Sequence, residues 1–257
     1  MKFVSFLVTF FCATALFAVQ PPQSATTPLP NINFTSVGTV SSVQLTGNAN
    51  WVFGSDQQTG TVTLQANAAG QSRMLLQLSS GPRLETQNAF SDSTRQCTWS
   101  GIDAVVHTSA VHHCWVDAIW FLPQITMQIG AGASDDSASA TAAPDGKIVH
   151  IHHERHPVGV RDVGTANLLA HLSAVDLDID ATTGFPLELN FAAHPDNDAG
   201  TDISVQVQFS DYRSVNGVTI PFHIQKFINN SLVLDLQIST VQVQLASSPA
   251  SLSPLAQ

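Results

Sequence analysis

Apolar and polar residues alternate through most of this chain, and that alternation sets its expected architecture. Ile203, Val205, Val207 and Phe209 point one way while Ser204, Gln206, Gln208 and Ser210 point the other, and Ile220, Phe222 and Ile224 resume the pattern. A period of two belongs to a strand with one apolar face. Between the two runs stands Asn216-Gly217, the dipeptide that best tolerates the positive φ angles of a two-residue type I′ turn, so an antiparallel hairpin is predicted. Similar runs occur at Val62, Leu64 and Ala66, at Met74, Leu76 and Leu78, at Val175, Leu177 and Ile179, and from Phe185 to Phe191. Asn67–Gly70, Gly81-Pro82, Thr182-Thr183-Gly184 and Asn229-Asn230 supply turns between runs. Leu232, Leu234, Leu236 and Ile238 share one parity, but Val241, Val243 and Leu245 have the other. A one-residue slip flips every side chain, so a β-bulge is expected near Ser239-Thr240.

The period changes in the middle of the chain. From His113 to about Ile129, Trp115, Ile119 and Leu122 fall at helical spacing, as do Val116 and Trp120, which predicts a helix with an aromatic face. Pro123 must end or kink it, with Ile125, Met127 and Ile129 in a second piece. Gly130 to Pro144 reads as an exposed Gly/Ala/Ser/Asp loop. A second, short helix is expected over Thr165–Leu172, with Leu168, Leu169 and Leu172 on one side. The N-terminus runs Met1-Lys2 and then apolar from Phe3 to Val19, which describes a secretory signal peptide over residues 1–18; an uncleaved anchor is the alternative. Phe10-Phe11 before Cys12 leaves no place for the small residues of a lipobox. A Pro-rich linker (19–32), a single domain (33–246) and a disordered tail (247–257) complete the expected organisation. After the leader, no stretch is long and apolar enough to cross a bilayer.

Composition narrows the partners. The formal net charge is −10, and loss of Lys2 with the leader makes it one unit more negative. That balance argues against nucleic acid and against charge-driven binding to acidic lipid surfaces. Hydrophobic residues make up 44% of the chain, enough to fill a core rather than leave it disordered. Cys97 and Cys114 are the cysteines beyond the leader. In an oxidising compartment one disulfide is the simplest reading, and no Cys-x-x-Cys motif supports the alternative of a redox thiol.

The segment Tyr212, Val215, Asn216, Gly217, Val218, Ile220, Pro221, Phe222 resembles a motif of the LolA/LolB-type lipoprotein-localisation superfamily, in a branch of secreted bacterial proteins. Gly60–Leu64 and Ser72–Leu76 add weaker likeness, and the order of elements matches over most of residues 45–245. The resemblance implies a mainly β (α+β) fold: a strongly curved antiparallel sheet, an incomplete β-barrel, covered on its concave face by a few short helices. It also implies a periplasmic or secreted location, and in the characterised carriers the cavity shields acyl chains. The cysteine pair, the Trp-rich helix and the 130–144 segment are departures from that pattern.

Candidate chemistry is sparse. Seven of the ten histidines lie between residues 107 and 156. His150 and His152 share a strand face about 7 Å apart, and with Glu154 or His112 they are the candidates for a zinc site, although no known zinc-enzyme spacing is present. Asp196–Asp202 resembles a calcium loop but lacks the bidentate Glu, and reads better as a polar hairpin loop. Asp176, Asp178 and Asp180 read as a solvated strand face. No Gly-x-Ser-x-Gly elbow, phosphate loop or dinucleotide fingerprint occurs, so no catalytic residue is assigned and no cofactor is expected; a carboxylate pair from separate strands stays open. The expectation is a secreted, non-enzymatic envelope protein that binds a lipid or other hydrophobic ligand in a half-barrel cavity, with Trp115, Ile119, Trp120, Phe121 and Leu122 as cavity candidates. One alternative is a packed interior and contacts with an envelope protein partner. A metal-dependent hydrolase built on the His150/His152 region is the other.

Overall fold

The computed structural model describes residues 40–88, 96–116, 120–122, 136–156 and 159–245. The expected leader, linker and tail, together with Ile119 and residues 123–135, lie outside the described residues. Thirteen strands form one curved, unclosed antiparallel sheet. The first six are β1 (Val40–Phe53), β2 (Asp56–Asn67), β3 (Ser72–Leu78), β4 (Gly81–Asn88), β5 (Gln96–Ser100) and β6 (Val106–Thr108). The remaining seven are β7 (Asp136–Ala142), β8 (Ile148–Arg155), β9 (Val175–Asp180), β10 (Pro186–Ala193), β11 (Ile203–Val215), β12 (Val218–Ile228) and β13 (Ser231–Leu245). The spatial order β6-β5-β4-β3-β2-β1-β13-β12-β11-β10-β9-β8-β7 is two meanders joined where the first strand pairs with the last.

Local chemistry accounts for the hairpins. Asn216 (φ 52°) and Gly217 (φ 81°) hold the left-handed conformations of the expected turn between β11 and β12. Asn229 and Asn230 repeat the device between β12 and β13. The slip expected in the last strand is present as well. Thr46 pairs with Thr240 but Gly47 pairs with Ile238, so Ser239 is the extra residue, and its hydroxyl donates to the Thr46 carbonyl at 3.2 Å. The bulge lets Leu234, Leu236 and Ile238 face the core before it, and Val241 and Val243 pack against the core after it; Leu245 is exposed.

The inner face of the sheet is one apolar cluster, with Leu45, Leu64, Val207, Ile224 and Leu236 fully buried. Two short helices accompany it among the described residues. The helix α1 (Val111–Val116) covers the start of the expected helix, and Trp120 and Phe121 lie in a turn rather than on a helical face; the second piece expected around Ile125, Met127 and Ile129 lies outside the described residues. Helix α2 (Val163–Ser173) matches the expected second helix. Asp162 caps it by accepting from the Thr165 N–H at 2.7 Å. Leu172 faces inward as expected, but Leu168 is exposed. The 130–144 segment also needs correction, because its second half is the edge strand β7 paired with β8. Ala138, Ala140 and Ala142 alternate with Ser and Thr there, so the strand period was present in residues too small to register as apolar.

The outer face of β8 and β9 differs from a merely solvated surface. His150 pairs with Asp178 and His152 with Asp176 across the ladder, and the imidazole–carboxylate distances are 2.6 and 2.7 Å. The hydrogen bond to Asp176 raises the His152 pKa above its ordinary value, with Glu154 adding to the effect and partial burial opposing it.

Two consequences can be measured. A Cβ on Gly47 would run into the backbone carbonyl of Gln237 beside the bulge. Gly47→Ala is therefore expected to cost about 2 kcal/mol in urea unfolding, the order found for overpacked sites. The raised pKa of His152 favours its charged form in the fold. The stabilisation is thus fully present below the unfolded value of 6.5 and is lost as pH rises through the folded value. The stability difference between wild type and Asp176→Asn should shrink between about pH 6 and about pH 9. A difference constant across that range would contradict the assignment.

Candidate ligand-binding site

Curvature of the sheet brings together residues that lie far apart in strand order. A recess of about 450 Å³ is bounded on one side by Met74 of β3, Thr86 of β4 and Trp99 of β5. On the other side stand His194 and Asp196 of the β10–β11 loop and Ile203 of β11. Strands β2, β1, β13, β12 and β11 intervene between β3 and β10 in the sheet, so the two walls meet only because the sheet curls. Trp120 and Phe121 lie against both walls. The two rings pack edge to face, with centroids 5.5 Å apart.

A second recess of about 230 Å³ lies beside the first and shares Met74, Glu85, Trp99 and Trp120 with it. Trp120, only 2% exposed, thus lines both spaces. Lys226 Nζ sits 4.6 Å from its ring centroid, a cation–π contact on the side of the second recess. The outer end of this recess is aromatic and basic. Trp51 stacks on Phe53, and the Arg83 guanidinium lies 4.3 Å over the Trp51 ring. Phe53 and Trp99 remain largely exposed there.

The expected cavity residues divide in the structure. Trp120 and Phe121 line the larger recess, whereas Leu122 is buried in the core and Trp115 lines neither space. The indole N–H of Trp115 is buried and has no partner among the described residues. Ile119 lies outside the described residues. Sequence reasoning missed Trp99, although a signal existed: in Cys97-Thr98-Trp99, alternation places Trp99 on the same strand face as a cysteine tied to α1. In the sequence, Met74 and Ile203 carry only the alternation of a strand.

Polar groups gather at the β10–β11 end of the larger recess. His113 of α1 meets Asp196 at 3.0 Å. His112 packs its ring 4.5 Å from that of His113 and 6.1 Å from that of His194. Burial, together with repulsion from His113, lowers the His112 pKa despite a hydrogen bond to the His194 backbone. His171 of α2 and Asp202 complete the group around His194. Thus His112 joins histidines other than His150 and His152. Those two stay on the outer face with Asp178 and Asp176, and His152 approaches Glu154 at 3.6 Å. The Glu154 carboxyl is pushed up by burial, but hydrogen bonds from His156 and His152 outweigh this and hold it below its usual range. The Asp196–Asp202 segment is the expected polar loop, turned by Asp198, which accepts from the Gly200 N–H and the Thr201 hydroxyl.

A disulfide fixes the helix that carries this polar end. Cys97 of β5 is bonded to Cys114 of α1, with Cα atoms 5.6 Å apart. The chain-entropy model gives about 3 kcal/mol for a cross-link closing a loop of this size. Cys97→Ser/Cys114→Ser should therefore lose about that much stability in denaturant unfolding, and reducing agent should have no effect on the double variant.

No family model and no curated protein matches the chain by sequence. Solved structures do match by fold. A domain described as that of an outer membrane lipoprotein-sorting protein, from Vibrio parahaemolyticus, superposes with a TM-score of 0.51 at 8% identity, covering 86% of this chain and 92% of that one. A DUF1329 family protein from Desulfovibrio piger gives 0.52 at 10% identity, covering 86% and 91%. A LolA superfamily protein from Nitrosomonas europaea scores 0.48 at 10% identity over 79% of this chain and 86% of that one. At such identities the likeness concerns architecture alone: the curved, unclosed antiparallel sheet is shared with the lipoprotein-sorting domain and the DUF1329 protein.

Proposed function

We propose that this chain is a secreted cell-envelope protein that holds a lipid or another hydrophobic molecule, without covalent chemistry, in the two recesses that Trp120 lines. The observation that carries the reading is the larger recess, whose 450 Å³ falls in the usual range for small-molecule sites. Its Trp99, Trp120, Phe121, Met74 and Ile203 walls suit an apolar chain. Each methylene moved from water into such a space contributes about 0.8 kcal/mol. Arg83 and Lys226 beside the second recess suit an amphiphile with an anionic or polar end. The LolA-like fold supports the reading through its neighbours, one of which is described as a lipoprotein-sorting domain. The periplasmic or secreted location belongs to the same proposal.

A second reading has its own observation. Ile102, Val105 and Val106 are exposed at the β6 edge, next to an unpaired strand ladder. A protein partner could add a strand there, as exposed sheet edges allow.

The test is native mass spectrometry of the protein purified from its own envelope, together with titration of a fluorescent fatty acid. A co-purifying lipid and saturable probe binding are expected. Ile203→Trp, which adds bulk on the β11 face that lines the larger recess, should weaken the probe about tenfold or more while leaving the melting temperature within a few degrees. Protein that carries no lipid and does not bind the probe would leave the partner-binding reading in its place.

A further inference from the structure

His171, His194 and Asp202 are separated in sequence but converge for a structural reason. In the β10–β11 ladder, Ala193 pairs with Ile203, so His194 and Asp202 form the next opposed positions where the two strands part. His171, in the last turn of α2, reaches the same point. His171 Nε2 lies 3.1 Å from Asp202 Oδ1, His194 Nε2 lies 3.0 Å from the same oxygen, and the two nitrogens are 3.2 Å apart. Three potential ligand atoms thus form a nearly equilateral triangle.

Protons satisfy this triangle poorly. Each imidazole can donate to Asp202, but the nitrogen–nitrogen edge then opposes two donors. If one nitrogen is instead left bare as an acceptor, its contact with the carboxylate oxygen becomes a repulsion of lone pairs. A cation above the triangle accepts all three lone pairs at once. With metal–ligand bonds of about 2.0–2.1 Å, the edges of such a face are expected to be about 2.9 Å in octahedral and about 3.3 Å in tetrahedral coordination. The observed edges fall between these limits. The environment adds an independent sign. The His194 side chain is fully buried, its Nδ1 has no hydrogen-bond partner among the described residues, and the ring is wedged between those of His112 and His171.

We propose that His171 Nε2, His194 Nε2 and the Asp202 carboxylate bind one divalent transition-metal ion, with zinc the best-suited common ion. Two imidazoles and one carboxylate suit zinc, cobalt or nickel. Calcium and magnesium prefer all-oxygen sets, and both cysteines near the site are held in the disulfide. The three protein ligands leave at least one coordination position for water or another group. The neighbouring His112, His113 and Asp196 are a looser grouping, already organised by the His113–Asp196 pair, and are not ligands of this ion. The proposal is independent of what fills the recess.

The experiment is calorimetric titration of the tag-free full chain with zinc after chelator treatment, paired with cobalt(II) absorption. The expected result is one zinc per chain, micromolar or tighter, with no binding of calcium or magnesium at the same concentrations. His171 and Asp202 are both solvent-accessible, so His171→Ala and Asp202→Asn can be made without emptying the core. Each should weaken zinc at least tenfold and abolish the cobalt visible bands, whereas His113→Ala/Asp196→Asn should retain both. The proposal is overturned if wild type shows no saturable zinc binding. It is equally overturned if the two ligand variants bind like wild type, or if only the His113/Asp196 variant loses the metal.

Discussion

The pairing of β1 with β13 is the constraint on which the rest of the molecule depends. It joins residues some two hundred positions apart, as the hydrogen bond from the Ser41 hydroxyl to the Gln244 carbonyl shows. Without it the chain would be two separate meanders, of six and seven strands, each with an additional bare edge. Three of the four register shifts among the described strands lie at or beside this seam: Ser41 and Ser239 are unpaired extras between β1 and β13, and Val233 is another between β12 and β13, while Leu187 is the one between β9 and β10. Bulges bend a strand and raise its local twist. Curvature is thereby concentrated at the centre of the sheet, where Gly47 allows the backbones to approach closely.

The position of the seam dictates where the middle of the chain must go. Because the first and last strands are central, β6 and β7 become the two outer edges. The segment between them, which carries α1 and the Trp120–Leu122 turn, must connect opposite rims of the half-barrel. Val116, Trp120, Phe121 and Leu122 belong to the same buried cluster as the inner faces of the strands. The connection therefore fills part of the concavity and leaves the two recesses that Trp120 lines. A topological requirement and an apolar one are met by the same few residues. The Cys97–Cys114 bond then fixes the start of the connection to the sheet wall that carries Trp99.

Features set by near neighbours in sequence were legible before any coordinates. The Asn216-Gly217 turn, the α2 helix and the bulge at Ser239 each follow from spacing and parity within about a dozen residues. The misreadings have a common physical origin in information that only pairing supplies. Asp176 and Asp178 read as a solvated face because nothing local reveals that β8 sets His152 and His150 opposite them. Asp196–Asp202 is the polar loop its sequence describes, but the meeting of Asp202 with His194 and His171 is not visible there, because His171 comes from a helix two strands earlier in the chain. The expected helix departs differently: Trp120 and Phe121 lie in a buried turn, so their spacing from Trp115 and Val116 in α1 reflects packing against the sheet rather than one helical face. In β7 the period was correct, but alanine carries too little apolar surface to announce a strand.

The charge pattern ties these features together. Only 9 lysines and arginines stand against 19 acidic residues, and three of those cations, Arg83, Arg213 and Lys226, lie over aromatic rings. Histidine takes up much of the remaining pairing. His113, His150, His152 and His223 each face an aspartate, and His171 and His194 share one. Protonating all ten histidines would cancel the formal charge of −10, so the imidazoles equal in number the excess of carboxylates over lysines and arginines. Most of these carboxylates are matched one to one across a ladder or loop. Asp202 differs in facing two imidazoles through a single oxygen, one of the rings being fully buried. That asymmetry marks the β10–β11 opening as the place where ordinary proton pairing is least able to complete the structure.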